Sequence, residues 1–178
     1  MPRTAFAFAL LGSIYLTFTP VTAAMVASSV TAANGVVVHV QSDDFANRYE
    51  YTAPLVKLDS DNYSFFLVAA IKQKGVNPDV FITGTLFYSG DWRYYDSAVF
   101  RGGAPAHYLP TDRKVVGCSG GCSFQEGFQI NLTAKDISDH TANGLLEVEI
   151  RARSSDSVQL NIPVSYIDAV KQVSSQRN

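Results

Sequence analysis

Beyond Asn34, apolar and polar residues alternate along most of the chain in short runs bounded by turn formers. A period of two marks strands, because successive side chains of an extended chain leave on opposite faces. LEVEIRAR (residues 146–153) shows it most plainly: Val148, Ile150 and Ala152 share one face, Glu147, Glu149, Arg151 and Arg153 the other. That pattern predicts a strand with one buried and one wet face. FQINLTA (128–134) and VQLNI (158–162) alternate in the same way, and GVVVHVQ (35–41) with NRYEYTA (47–53) is expected to form the first pair. YSFFLVAAI (63–71) is apolar on both parities, which predicts a central strand covered on both sides or carrying a further layer. DVFITGTLFY (79–88) and WRYYDSAVF (92–100) flank Ser89-Gly90-Asp91, and a hairpin rich in aromatic residues is expected there. RGGAPAHYLPTDR (101–113), rich in Gly and Pro, is expected to be a long surface loop.

About eight short strands at this spacing predict an all-β fold: a single antiparallel β-sandwich, immunoglobulin-like or jelly-roll-like, over residues 25–178. Helix is scarce. One turn is expected at TAKDISDH (133–140), capped by Thr133 or Asp136. Another is expected from Pro163, where Val164, Ile167, Ala169, Val170 and Val173 fall close to one face; the rival for that segment is a last strand.

The first residues depart from this pattern. Arg3, an apolar run from Ala5 to Phe18, and Pro20 before small residues give residues 1–24 the layout of a secretory signal peptide, with cleavage expected after Ala23 or Ala24. The expected location is therefore secreted or periplasmic, with no membrane span once the leader is gone. Removing it takes away only Arg3 and leaves 13 basic against 16 acidic side chains, a balance with no basic patch for nucleic acid.

Export changes the meaning of the two cysteines. Cys118 and Cys122 flank Ser-Gly-Gly, and in an oxidising compartment they are expected to form a disulfide that closes a local turn. A redox role fits poorly, since the dithiol motif spaces its cysteines by two residues at a helix N-terminus. A metal site would need two further ligands, and His39, His107 and His140 are scattered singly, so neither metal nor cofactor is expected. Gly117-Cys118-Ser119-Gly120-Gly121 satisfies the hydrolase pattern G-x-S-x-G, but a nucleophile elbow joins a strand to a helix, whereas Ser119 precedes an alternating strand.

Two features remain as candidate chemistry. Glu126 shares parity with Phe124, Phe128, Ile130 and Leu132, so in an unbroken strand it points inward, where a carboxylate needs a partner such as Arg101 or Arg113, unless a bulge at Gly127 turns it outward or it lies at the strand's exposed end. Tyr88, Trp92, Tyr94 and Tyr95 gather around one turn, as in modules that hold sugars or peptides on aromatic rings. Asp59-Ser60-Asp61-Asn62 resembles the start of a calcium loop but fails the pattern at Tyr63. Asn62 and Asn131 stand in glycosylation sequons. The expectation is an exported, non-enzymatic module with a binding or structural role in the cell envelope or outside the cell, its partner a protein or a glycan. The alternatives are a carbohydrate- or peptide-binding module using the hairpin around Trp92, a hydrolase pairing Glu126 with Asp96 or Asp112, and assembly through an exposed strand edge.

Overall fold

The computed structural model describes residues 25–58, 63–73 and 79–176. The expected leader at 1–24, the acidic segment at 59–62 and the sequon asparagine Asn62 lie outside the described residues. As expected, the fold is all-β: every strand pairing is antiparallel, and two short helices complete it.

The first strands are β1 (Val26–Thr31), β2 (Val37–Asp43), β3 (Arg48–Thr52), β4 (Val56–Lys57), β5 (Phe65–Gln73) and β6 (Val80–Ser89). They are followed by β7 (Tyr95–Phe100), β8 (Pro105–Cys118), β9 (Cys122–Leu132) and helix α1 (Ala134–His140). The chain ends with β10 (Thr141–Ala142), β11 (Leu145–Ala152), β12 (Ser157–Pro163) and helix α2 (Val164–Gln176). Hydrogen bonding links the strands in the order β1-β2-β3-β5-β6-β9-β8-β7-β11-β10, with β4 beside β5 and β12 beside β11. The strand β8 joins two halves of this sheet: Pro105 and Ala106 pair with β7, whereas His107 to Cys118 run along β9.

Alternation positions the core. In β6, Val80, Ile82, Leu86 and Tyr88 are buried, opposite Leu132, Ile130, Glu126 and Phe124 of β9. Between them Gly84 faces Phe128, whose ring fills the space a side chain at 84 would take. On β5, Phe66, Val68 and Ala70 turn into the core while Phe65 and Leu67 are half-buried on the other side. Helix α2 closes this core, burying Ile167, Ala169, Val170 and Val173 and packing on β2, β3, β5, β6 and β12. It thus touches both halves of the sheet and forms as its apolar spacing predicts, directly after Pro163. Helix α1 is capped by Thr133, whose hydroxyl accepts from the Asp136 N–H while the Asp136 carboxylate accepts from the Thr133 N–H.

Three expectations need correction. The aromatic hairpin does not form: both edges of β6 are taken by β5 and β9, and β7 pairs instead with β8 and β11. A ten-residue register with β9 outcompetes a local turn, and Tyr94, in the left-handed region at φ 57°, interrupts the extended chain just before β7. The Gly- and Pro-rich stretch at 101–113 is not a loop beyond Ala104 but the start of β8. Its prolines are tolerated because β8 leaves one edge largely unpaired and its register breaks between Pro110 and Arg113. Finally, β1 precedes the expected first pair and adds to β2, which itself pairs with β3 as foreseen.

Candidate functional site

The inward parity of Glu126 is realised: the residue is 1% exposed, in register with Leu86 on one side and Arg113 on the other. Arg113 reaches it because of the register break in β8. Thr111 and Asp112 fold over Gly127, where a Cβ would stand 1.9 Å from Asp112 Oδ1, and this one extra residue on β8 puts Arg113 on the inward face. Arg113 Nε donates to Glu126 Oε2 at 2.8 Å, and its Nη2 donates to the Tyr95 carbonyl at 2.9 Å. The Tyr94 N–H donates to Oε1 at 2.9 Å, the Tyr95 N–H to Oε2 at 3.0 Å, and the Tyr88 hydroxyl also donates to Oε1. Four donors therefore hold one carboxylate, the condition under which a buried charge is tolerated.

A second layer encloses this knot. The Arg93 guanidinium lies 4.5 Å over the Tyr88 ring and donates to the Tyr95 hydroxyl at 3.2 Å, while the Arg93 N–H donates to the Tyr88 hydroxyl at 3.2 Å. The Tyr108 hydroxyl donates to the Tyr95 carbonyl at 3.3 Å. Burial pushes all three phenols, Tyr88, Tyr95 and Tyr108, above the usual tyrosine range. The neighbouring Glu126 adds to that rise at Tyr88 and Tyr108, while Arg93 opposes it at Tyr95.

These contacts sort the aromatic residues that the sequence brings together. Tyr88, Tyr95 and Glu126 belong to the core, with all polar atoms engaged inside the protein. Trp92 is half-buried, its ring 4.5 Å from Phe124 and 5.9 Å from Tyr94. Only Tyr94 opens to solvent, at 42% exposure, with the Arg113 guanidinium 5.4 Å from its ring.

The carboxylates that a hydrolase would pair with Glu126 are occupied elsewhere. Asp96 is bonded to Arg153 at 2.7 Å, which holds its carboxyl below the usual range. Asp112 accepts from Thr111 and from Gln125, the residue that alternates with Glu126 on β9. Cys118 and Cys122 form a disulfide across the β8–β9 turn, so Ser119 lies between two strands and not at an elbow leading to a helix. Among the described residues, no group of three His, Cys, Asp or Glu side chains could hold a metal, and no helix is long and apolar enough to cross a membrane.

The surface around the knot holds residues that the sequence did not single out. While β9 is largely buried, its neighbour β8 is exposed at every residue from Leu109 onward, and exposure continues through the turn to Gly121. Val115 stands 50% exposed in register with Phe124, the ring against which Trp92 packs. A cleft of about 680 Å³ lies around the disulfide, lined by Tyr63, Phe87, Ser89, Val116, Cys118 and Ser123. Tyr63 and Phe87 pair across it at 5.6 Å. The run Lys-Val-Val-Gly-Cys was the available signal, since two adjacent valines in one strand cannot both face the core. Comparison with known family models, curated proteins and solved structures finds no match.

Proposed function

We propose that the protein is an exported, non-enzymatic binding module that contacts a protein partner through the disulfide-closed end of the β8–β9 hairpin. One observation carries the reading: this end of the hairpin exposes Val115 (50%) and Val116 (48%), with Tyr63 (65%) lining the disulfide cleft together with Val116, and with Tyr94 (42%) packed against a half-buried Trp92 and the Arg113 guanidinium further along β8. Clustered exposed apolar residues mark contact surfaces, and Tyr, Trp and Arg are the residues enriched in them. The disulfide supports it, because a short covalent ring presents the tip in one shape and lowers the ordering cost of binding. The leader-like residues 1–24 and the disulfide together support an extracytoplasmic setting. Glu126 serves as the support beneath this surface, positioning Tyr94 through its backbone.

A glycan is the second reading, favoured by the paired Tyr63 and Phe87 rings with the Ser89 and Ser123 hydroxyls beside them. Aliphatic Val115 and Val116 are the reason to place a protein first. The test is a photo-crosslinking residue at Val116 in the exported protein, with a control at Gln159 on the polar face of β12. A discrete adduct at Val116, absent at Gln159 and lost when Val115→Asp is added without change in melting temperature, supports the reading, and its mass separates protein from glycan. No adduct, or equal adducts from both positions, overturns it.

A further inference from the structure

The sheet ends on β1, and the edge of β1 facing away from β2 has no strand beside it among the described residues. Natural sheets blunt such edges with charge, proline or a bulge. The partly unpaired edge of β8 carries those devices: Pro105, Pro110, Asp112, Arg113, Lys114 and two register breaks. The strand β1, Val-Ala-Ser-Ser-Val-Thr, has none of them, and its six-residue register with β2 runs without a bulge.

We propose that β1 pairs antiparallel with β1 of a second copy of this chain, about a two-fold axis through Ser28, continuing the sheet across the dimer. A two-fold perpendicular to a sheet keeps each face on its own side, so residues facing each other must share parity. Centring on Ser28 sets Val26 opposite Val30 on one face. On the other face it sets Ala27 opposite Ser29 and Met25 opposite Thr31. On the face of Val26, Ser28 and Val30 the strand is a palindrome, valine-serine-valine, and meets its own copy with apolar against apolar and hydroxyl against hydroxyl. No charged side chain lies between Met25 and Thr31, so the axis brings no like side-chain charges together. The pairing also covers Met25 and Val26, which are 45% and 59% exposed in the single chain. A second copy is the occupant for this reason: a strand that fits its own reversal needs no other partner. The interface is one strand wide, so the association is concentration-dependent.

The test is the mass of the purified protein by analytical ultracentrifugation up to roughly 100 µM, the range in which so small an interface is populated. The wild type is expected to reach the dimer mass. Ser28→Lys and Ser28→Glu, each placing like charges face to face at the axis, are expected to stay monomeric with unchanged circular dichroism. An equimolar mixture of the two should restore the dimer. Ser28→Cys should oxidise to a covalent dimer, since facing strand residues stand within disulfide range. A wild type that stays monomeric, a Ser28→Lys protein that still dimerises, or a mixture that fails to associate overturns the proposal. The hairpin end lies on another part of the sheet, so Val115→Asp leaves this mass unchanged and the two readings fail separately.

Discussion

Glu126 decides the local path of the chain. Its oxygens collect the N–H groups of Tyr94 and Tyr95, and those bonds hold Tyr94 at a positive φ that a bulky residue adopts only when its surroundings enforce it. Glu126→Gln keeps the shape but replaces one oxygen by an NH₂ among donors and leaves Arg113 without its charge partner. Breaking a buried pair from one side typically costs about 3–5 kcal/mol, and a loss of roughly 3 kcal/mol is expected here because Arg113 keeps some solvent and its bond to the Tyr95 carbonyl. Urea denaturation measures it; a loss below roughly 1 kcal/mol, the worth of an ordinary neutral hydrogen bond, would contradict the role given to Glu126. Two glycines make a paired test at the same scale. A Cβ at Gly84 would stand 2.3 Å from the Phe65 carbonyl oxygen and 2.7 Å from the Phe128 ring, whereas at Gly127 its nearest neighbours would be the Thr111 and Asp112 side chains. Backbone cannot step aside and side chains can, so Gly84→Ala should destabilise by at least about 3 kcal/mol and Gly127→Ala by about 1 kcal/mol. Equal melting temperatures for the two variants would refute that ordering.

At the scale of elements, what was legible follows from locality. Both helices could be read because their signals, the Thr133–Asp136 capping box and the apolar stripe after Pro163, lie within one stretch of chain. The inward parity of Glu126 could be read for the same reason, from alternation, whereas its partner stayed open between Arg101, Arg113 and a bulge at Gly127 until the register of β8 selected Arg113. Alternation reports which face a residue takes but not which strand lies beside it, so β6 and β7 looked like neighbours although β9 separates β6 from β8. The backbone donors of Tyr94 and Tyr95 were out of reach, because they exist only once that crossover is made. Prolines disguised β8, since the pattern of an edge strand and that of a loop are alike in Pro and exposed residues. The hairpin tip makes its own prediction. A ring of five residues lowers unfolded-chain entropy by only about 2 kcal/mol, and the core lies on β9 and β6, away from the turn. Replacing Cys118 and Cys122 by Ser should therefore cost no more than about 2 kcal/mol. Hydrogen exchange should rise at residues 115–123 and stay unchanged at Phe128 to Leu132. Global loosening would mean that the disulfide secures the domain and not the tip alone.

In the whole molecule, polar cohesion is concentrated where the two halves of the sheet meet. Tyr88 comes from β6, Tyr95 from β7 and Tyr108 from β8, and all three phenols turn toward the Glu126 knot at the junction that β8 makes between the halves. Burial raises the pKa of each in the folded state, while in the unfolded chain each ionises near its ordinary value of about 10. Below pH 10 both states keep the phenolic protons, and the stabilisation is fully present. Above it the unfolded chain loses protons that the folded chain retains, so stability falls as pH rises toward the folded-state values. The slope is roughly 1.4 kcal/mol per pH unit for each tyrosine that stays protonated in the fold, and about three times that for the set. The protein should thus unfold abruptly in alkali, with the tyrosinate absorbance of these three residues appearing together with the loss of circular dichroism. Tyr108→Phe removes one of the protons at the cost of a single 3.3 Å hydrogen bond, so its alkaline slope should drop by about a third. If the three phenols instead ionise while the sheet signal persists, solvent reaches the junction, and the two halves are held together by α2 and the apolar core without the buried tyrosines.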